Sequence, residues 1–93
     1  GCRAPAAPTG LTFTKVANLL TINWAAVPGA ASYRLRAGTA PGLVNAYDAD
    51  VGNVSGVQFG ISGIPPGQYY VTVVATSVCG ASVASNEVLI PIP

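Results

Sequence analysis

The run Gly-Ile-Pro-Pro-Gly-Gln-Tyr-Tyr-Val-Thr-Val-Val-Ala, residues 63–75, leaves this chain few ways to fold. Pro66-Gly67 makes a tight turn, since Pro presets its own φ and Gly tolerates backbone angles closed to other residues. The turn delivers the chain into a strand of period two. Tyr69, Val71, Val73 and Ala75 point to one face, and Tyr70, Thr72 and Val74 to the other. A Tyr heading such a strand just past a Pro-Gly corner is the arrangement of a tyrosine corner in a β-sandwich. There the ring is buried and the hydroxyl bonds back to upstream backbone. The rest of the chain reads as six more strands packed around this one.

Residues 1–9 are small and Pro-containing, an extended lead-in rather than a helix. A first strand is expected at about 10–15, where Leu11 and Phe13 alternate with Thr12 and Thr14, and Ala17-Asn18 then turns the chain. Leu20, Ile22 and Trp24 alternate with Thr21 and Asn23 in a second strand over 19–25. Val27-Pro28-Gly29 breaks it. Tyr33, Leu35 and Ala37 alternate with Arg34 and Arg36 in a third strand over 31–37. After the 38–42 loop, a short fourth strand is expected at Leu43–Tyr47, and Asp48–Gly56 reads as a polar loop. Val57, Phe59 and Ile61 make the fifth strand, and 68–77 the sixth. The seventh runs over about 83–90, with Pro91 and Pro93 stopping further pairing. Short strands with turn signals every 8–12 residues, and no apolar period of 3.6, predict an all-β, seven-stranded antiparallel sandwich of immunoglobulin-like type. We expect residues 10–91 to be its single domain, and 92–93 a C-terminal tail.

Composition sets the limits. Ninety-three residues make one small domain, and a chain of this size buries only about 60–65% of its unfolded surface, so a covalent staple helps. Charged residues are 8% of the chain, against a usual share of about 25%, and the net charge is +1. That gives no electrostatic footprint for nucleic acid. It also weakens the usual protection against self-association. No apolar run approaches the roughly 18–20 residues that span a bilayer. With no leader and no initiating Met in the sequence, we expect an excised domain or a processed product. Cys2 and Cys79 form no C-x-x-C motif and the chain has no His, so zinc is not indicated. Two free thiols or one disulfide remain open.

At this point the residues resemble the fibronectin type III domain family, in the style of bacterial secreted proteins. The match runs from Pro8 to Ile90. It is carried by Pro8 with Gly10-Leu11, Trp24, Tyr33-Arg34-Leu35, Ile64-Pro65-Pro66-Gly67-Gln68-Tyr69, Val71/Val73/Ala75 and Ser85-Asn86-Glu87-Val88. The corner is one residue shorter than the commonest family form, which gives the corner role to Tyr69 rather than Tyr70. The resemblance implies a core that includes Trp24, Tyr33, Leu35, Phe59, Tyr69, Val71 and Val73. Seven strands of alternating direction then put the lead-in and the loop after the sixth strand at one pole, Cys2 in the first and Cys79 in the second. A Cys2–Cys79 disulfide is expected, and with it an oxidising, extracellular or cell-surface home. A lipid-modified Cys2 and free buried thiols are the other readings.

Nothing in the sequence points to catalysis, a cofactor or a metal site. Without His, and with Asp48, Asp50 and Glu87 the only acidic side chains, no tuned acid/base pair or activated nucleophile is recognisable. Asp48-Ala-Asp50-Val-Gly52-Asn53 faintly resembles a calcium loop, but the twelfth position is Phe59 rather than Glu, and a solvated turn is the simpler reading. Asn53-Val54-Ser55 fits the glycosylation pattern, as chance matches also do. Arg34, Arg36, Tyr47 and Tyr70 are the candidates for contact with a partner. That partner is expected to be another protein domain, a second copy of the chain or a polysaccharide. The expected function is that of a non-catalytic structural, adhesion or spacer module of a secreted or surface protein. A self-assembling filament subunit and an accessory module of a polysaccharide-degrading enzyme are the alternatives.

Overall fold

The computed structural model describes residues 2–17, 19–52 and 63–93 in full and 58–61 as backbone. Among these residues there is no helix. The strands are β1 (Thr12–Val16), β2 (Leu19–Asn23), β3 (Ser32–Gly38), β4 (Tyr47–Gly52), β5 (Gln58–Ile61), β6 (Gly67–Ser77), β7 (Gly80–Ala81) and β8 (Val88–Ile92). They form two antiparallel sheets, β1-β2-β5 and β4-β3-β6, with β7 and β8 both on the free edge of β6. The last two are one strand with an interruption, so the fold is the seven-stranded antiparallel sandwich.

Period-two patterning builds the core directly. From β2 come Leu20 and Ile22. From the larger sheet come Tyr33, Leu35, Ala37, Val71, Val73, Ala75 and Ile90, all buried in one cluster that Leu11, Trp24 and Val27 complete. Register aligns these positions in rows: Tyr33 faces Ala75, Leu35 faces Val73 and Ala37 faces Val71. Fully burying a Leu or Ile side chain contributes about 1.5–3 kcal/mol, so Ile22, Leu35 and Ile90 are among the larger apolar terms. Val74 is buried as well, although it lies on the opposite face of β6, where Arg34 is its cross-strand neighbour.

Three expectations about elements are corrected. The fourth strand is not Leu43–Tyr47 but Tyr47–Gly52, and Asp48 and Asp50 are strand residues rather than part of a loop. Their alternation with Tyr47, Ala49 and Val51 is period two, and the acidic side chains face the sheet's arginines. The chain cannot start this strand sooner because it must first turn against β3. Gly38 ends β3 where any Cβ would collide with the Leu43 carbonyl. The second correction is that β2 stops at Asn23, and Trp24 packs from the connection that follows. Finally, pairing continues through Pro91, opposite Gln68, to Ile92, opposite Gly67. An edge strand tolerates Pro because one side of its backbone has no ladder to supply.

Candidate functional site

Two tyrosine hydroxyls brace the sandwich at different depths. Tyr69 donates to the carbonyl of Pro65 at 2.7 Å, across the Pro66-Gly67 bend, with its half-buried ring at the margin of the core. Tyr33 lies deeper, 2% exposed, and its hydroxyl accepts from the Val27 amide at 2.9 Å. Its ring meets Trp24 edge to face, with centroids 5.4 Å apart. This is a favourable aromatic geometry. Trp24, Leu35, Val71 and Val73 are buried in the same cluster, whereas the side chain of Phe59 lies outside the described residues.

The residues expected to meet a partner do not form one patch. Arg34, Arg36 and Tyr70 share the outer face of the larger sheet, since their cross-strand neighbours are Val74, Thr72 and Gly38. Tyr47 instead pairs with Ala37, a core position, and sits at the mouth of an apolar recess. The two tyrosines therefore offer no common strip for a sugar chain. Both arginines lean on one carboxylate. Arg34 Nε donates to Asp48 Oδ1 at 2.5 Å, and Arg36 Nε lies 3.6 Å from the same oxygen. Asp50 accepts from Ser32 Oγ at 3.1 Å and from the Gly52 amide at 2.7 Å, and Ser32 bonds Thr76 across β3 and β6. The outer face is a polar network over three strands, in which Arg36 Nε is buried beside Asp48 without a hydrogen bond of its own. Two acidic residues spaced like the two arginines were the signal for it in the sequence, because such pairs meet across adjacent strands.

Sequence reasoning missed the polar edge between β7 and β8. Ser82 pairs with Ala75 reciprocally: its amide donates to the Ala75 carbonyl at 2.8 Å and its Oγ accepts from the Ala75 amide at 2.9 Å. Ser85 does the same with Val73, both bonds at 2.9 Å. Each serine hydroxyl thus stands where a ladder carbonyl would be, and donates on to the next carbonyl, of Val83 or Asn86. Asn86 then reaches the other sheet. Its Oδ1 accepts from the Leu11 amide at 3.1 Å and its Nδ2 donates to the Leu11 carbonyl at 3.2 Å. Glu87 accepts from the Gly42 amide at 3.1 Å. All three carboxylates of the chain are thereby engaged by neighbours within it.

Cys2 and Cys79 are joined in a disulfide with Cα atoms 5.3 Å apart, tying the lead-in to the β6–β7 turn. The lead-in is held further by Thr9, whose carbonyl accepts from the Ala25 amide, and by buried Pro8. At the far pole, where β8 ends, a recess of about 440 Å³ opens between the sheets. Ile22, Leu35, Val71 and Ile90 lie within it, and Tyr47 and Tyr69 are also among its walls. No group of three or more potential metal ligands occurs among the described residues. No helix of the described residues is long and apolar enough to cross a membrane.

No protein-family model matches the chain, and no curated protein does. Solved structures do. A Fn3-like protein from Clostridium thermocellum superposes with a TM-score of 0.76 at 28% identity, covering 98% of this chain and 96% of that one. The sixth fibronectin type III domain from human fibronectin type III domain containing protein 3 gives 0.72, also at 28% identity, over 100% and 90% of the two chains. The chain has the fold of the fibronectin type III domains and is similar to them over its whole length. The chicken CNTN1 FN1-FN3 domains share the fold at 18% identity and a TM-score of 0.78. The match covers 98% of this chain and 31% of that longer one. Such domains therefore occur as units within multidomain proteins.

Proposed function

We propose that this fibronectin type III domain is a non-catalytic spacer or adhesion module of a secreted or cell-surface protein, linked end to end with its neighbours. The observation that carries this reading is the placement of its two ends. Cys2 lies beside the β6–β7 turn and Ile92 beside Gly67 at the start of β6, so entry and exit are at opposite poles of a body 46 Å long. Several apolar side chains left in water lie at the poles, while Val83 and Leu89 are exposed along the sheet edge. Val78, 99% exposed, marks the β6–β7 turn; at the other end lie Val16 and Leu19, where β1 ends and β2 begins, and Leu43 and Val44 in the loop after β3. Abutting modules would cover them. The disulfide favours an oxidising compartment, and the engagement of Asp48, Asp50 and Glu87 with groups of the same chain favours binding over chemistry.

The test is solution scattering on two copies joined in tandem. An end-to-end pair should reach a maximum dimension of about 90 Å, near twice the 46 Å axis, as expected for beads that meet only at their tips. A compact, side-by-side pair contradicts the reading. Light scattering of the single domain over a wide concentration range addresses the filament alternative, which requires growth in mass with concentration. Retention on insoluble glycans would favour the carbohydrate alternative instead.

A further inference from the structure

The disulfide reroutes any load applied to the two ends of this domain. A pull entering ahead of Cys2 crosses the S–S bond to Cys79 and leaves along residues 80–93. Residues 3–78 form a closed loop outside that path. The strap that remains lies flat against β6, with Gly80 opposite Ser77 and Ile92 opposite Gly67.

Its slack is legible from the register. Ala81 faces Thr76, Ser82 bonds Ala75, Ser85 bonds Val73, and Val88 faces Val71. Twice, three steps along the strap match two along β6, so it holds two residues in excess. Each excess residue is a bulge. The β6 stretch from Gly67 to Ser77 is about 33 Å long, whereas residues 80–92 drawn straight reach about 40–43 Å. Straightening both bulges therefore adds only about 10 Å.

We propose that the Cys2–Cys79 bond makes this domain a length-locked link under tension: oxidised, it carries load along the covalent strap 79–93 and barely lengthens, and reduced, it pays out its whole chain. Release needs a dithiol reductant. Two electrons and two protons pass to the bridge, the S–S bond breaks to leave thiols on Cys2 and Cys79, and the reductant closes to its own disulfide. The exposed position of Cys2 leaves the bridge open to such a reagent. Spacing alone requires no such lock, and the proposal does not rest on the spacer reading.

Single-molecule stretching of the full chain, with handles at both ends, tests it. The oxidised protein, verified by mass as two hydrogens lighter than the dithiol form, should give no lengthening beyond about 20 Å at any force that spares covalent bonds. The same molecules in a dithiol buffer should give unfolding events of roughly 260–290 Å, the difference between an extended chain and the 46 Å body. The Cys2→Ser/Cys79→Ser variant should repeat the reduced result, and reduced wild type stands in for it if the variant does not fold. Long events in verified oxidised molecules overturn the proposal. So do short events alone after reduction, because something other than the bridge would then cap the extension.

Discussion

Replacing Tyr33 by Phe removes one oxygen atom and keeps the ring, so the edge-to-face contact with Trp24 survives and only the Val27 bond is lost. Tyr33 is 2% exposed and Val27 is buried, so the amide that loses its acceptor has no ready access to water. An orphaned buried donor costs about 1–3 kcal/mol. Tyr69→Phe removes the other brace. There the orphan is the Pro65 carbonyl on an exposed residue, which solvent can satisfy, leaving only the net value of one hydrogen bond, about 0.5–1.5 kcal/mol. We therefore expect Tyr33→Phe at about 2 kcal/mol, or roughly 8–16 °C in Tm for a domain of this size, and Tyr69→Phe at about half that cost. Urea unfolding followed by Trp24 fluorescence measures both, with unchanged m-values as the sign that the unfolded state is not the cause. Equal costs, or a larger cost at Tyr69, would refute the argument that the fate of the partner atom sets the price.

Ser82→Ala and Ser85→Ala should each cost about 1–2 kcal/mol, because each leaves the amide of a buried β6 residue without its acceptor. Hydrogen exchange should quicken at Ala75 in the first variant and at Val73 in the second. Gly38→Ala should cost about 2–3 kcal/mol in chemical denaturation, since the new methyl meets the rigid Leu43 carbonyl. Ala17 sits in the left-handed region at φ 54°, a conformation costing Ala about 1–2 kcal/mol, so Ala17→Asn should raise stability by about 0.5–1 kcal/mol. A double-mutant cycle on Arg34 and Asp48, whose side chains are 38% and 41% exposed, should give a coupling of only about 0.2–1 kcal/mol that falls further in salt.

What the amino-acid order determined by itself is the alternation, and with it the layers. Tyr33-Leu35-Ala37 and Val71-Val73-Ala75 are legible as inward rows because a strand's side chains must alternate, whatever the strand packs on. The Pro66-Gly67 bend and the Tyr69 role follow from backbone preferences just as local. The polar partnerships were decided by the tertiary structure. Asp48 reads as loop until β4 is laid beside β3 and Arg34 comes within 2.5 Å. Asn86 reads only as part of the seventh strand until docking of the sheets brings it to Leu11, 75 positions away. Tyr33 shows its apolar body in the sequence, but its hydroxyl's partner, Val27, belongs to the loop before β3, whose path the sheets impose. Apolar burial requires only that a face be covered, so a pattern can announce it. A hydrogen bond requires one donor and one acceptor about 3 Å apart, and that distance exists only after the sheets have packed.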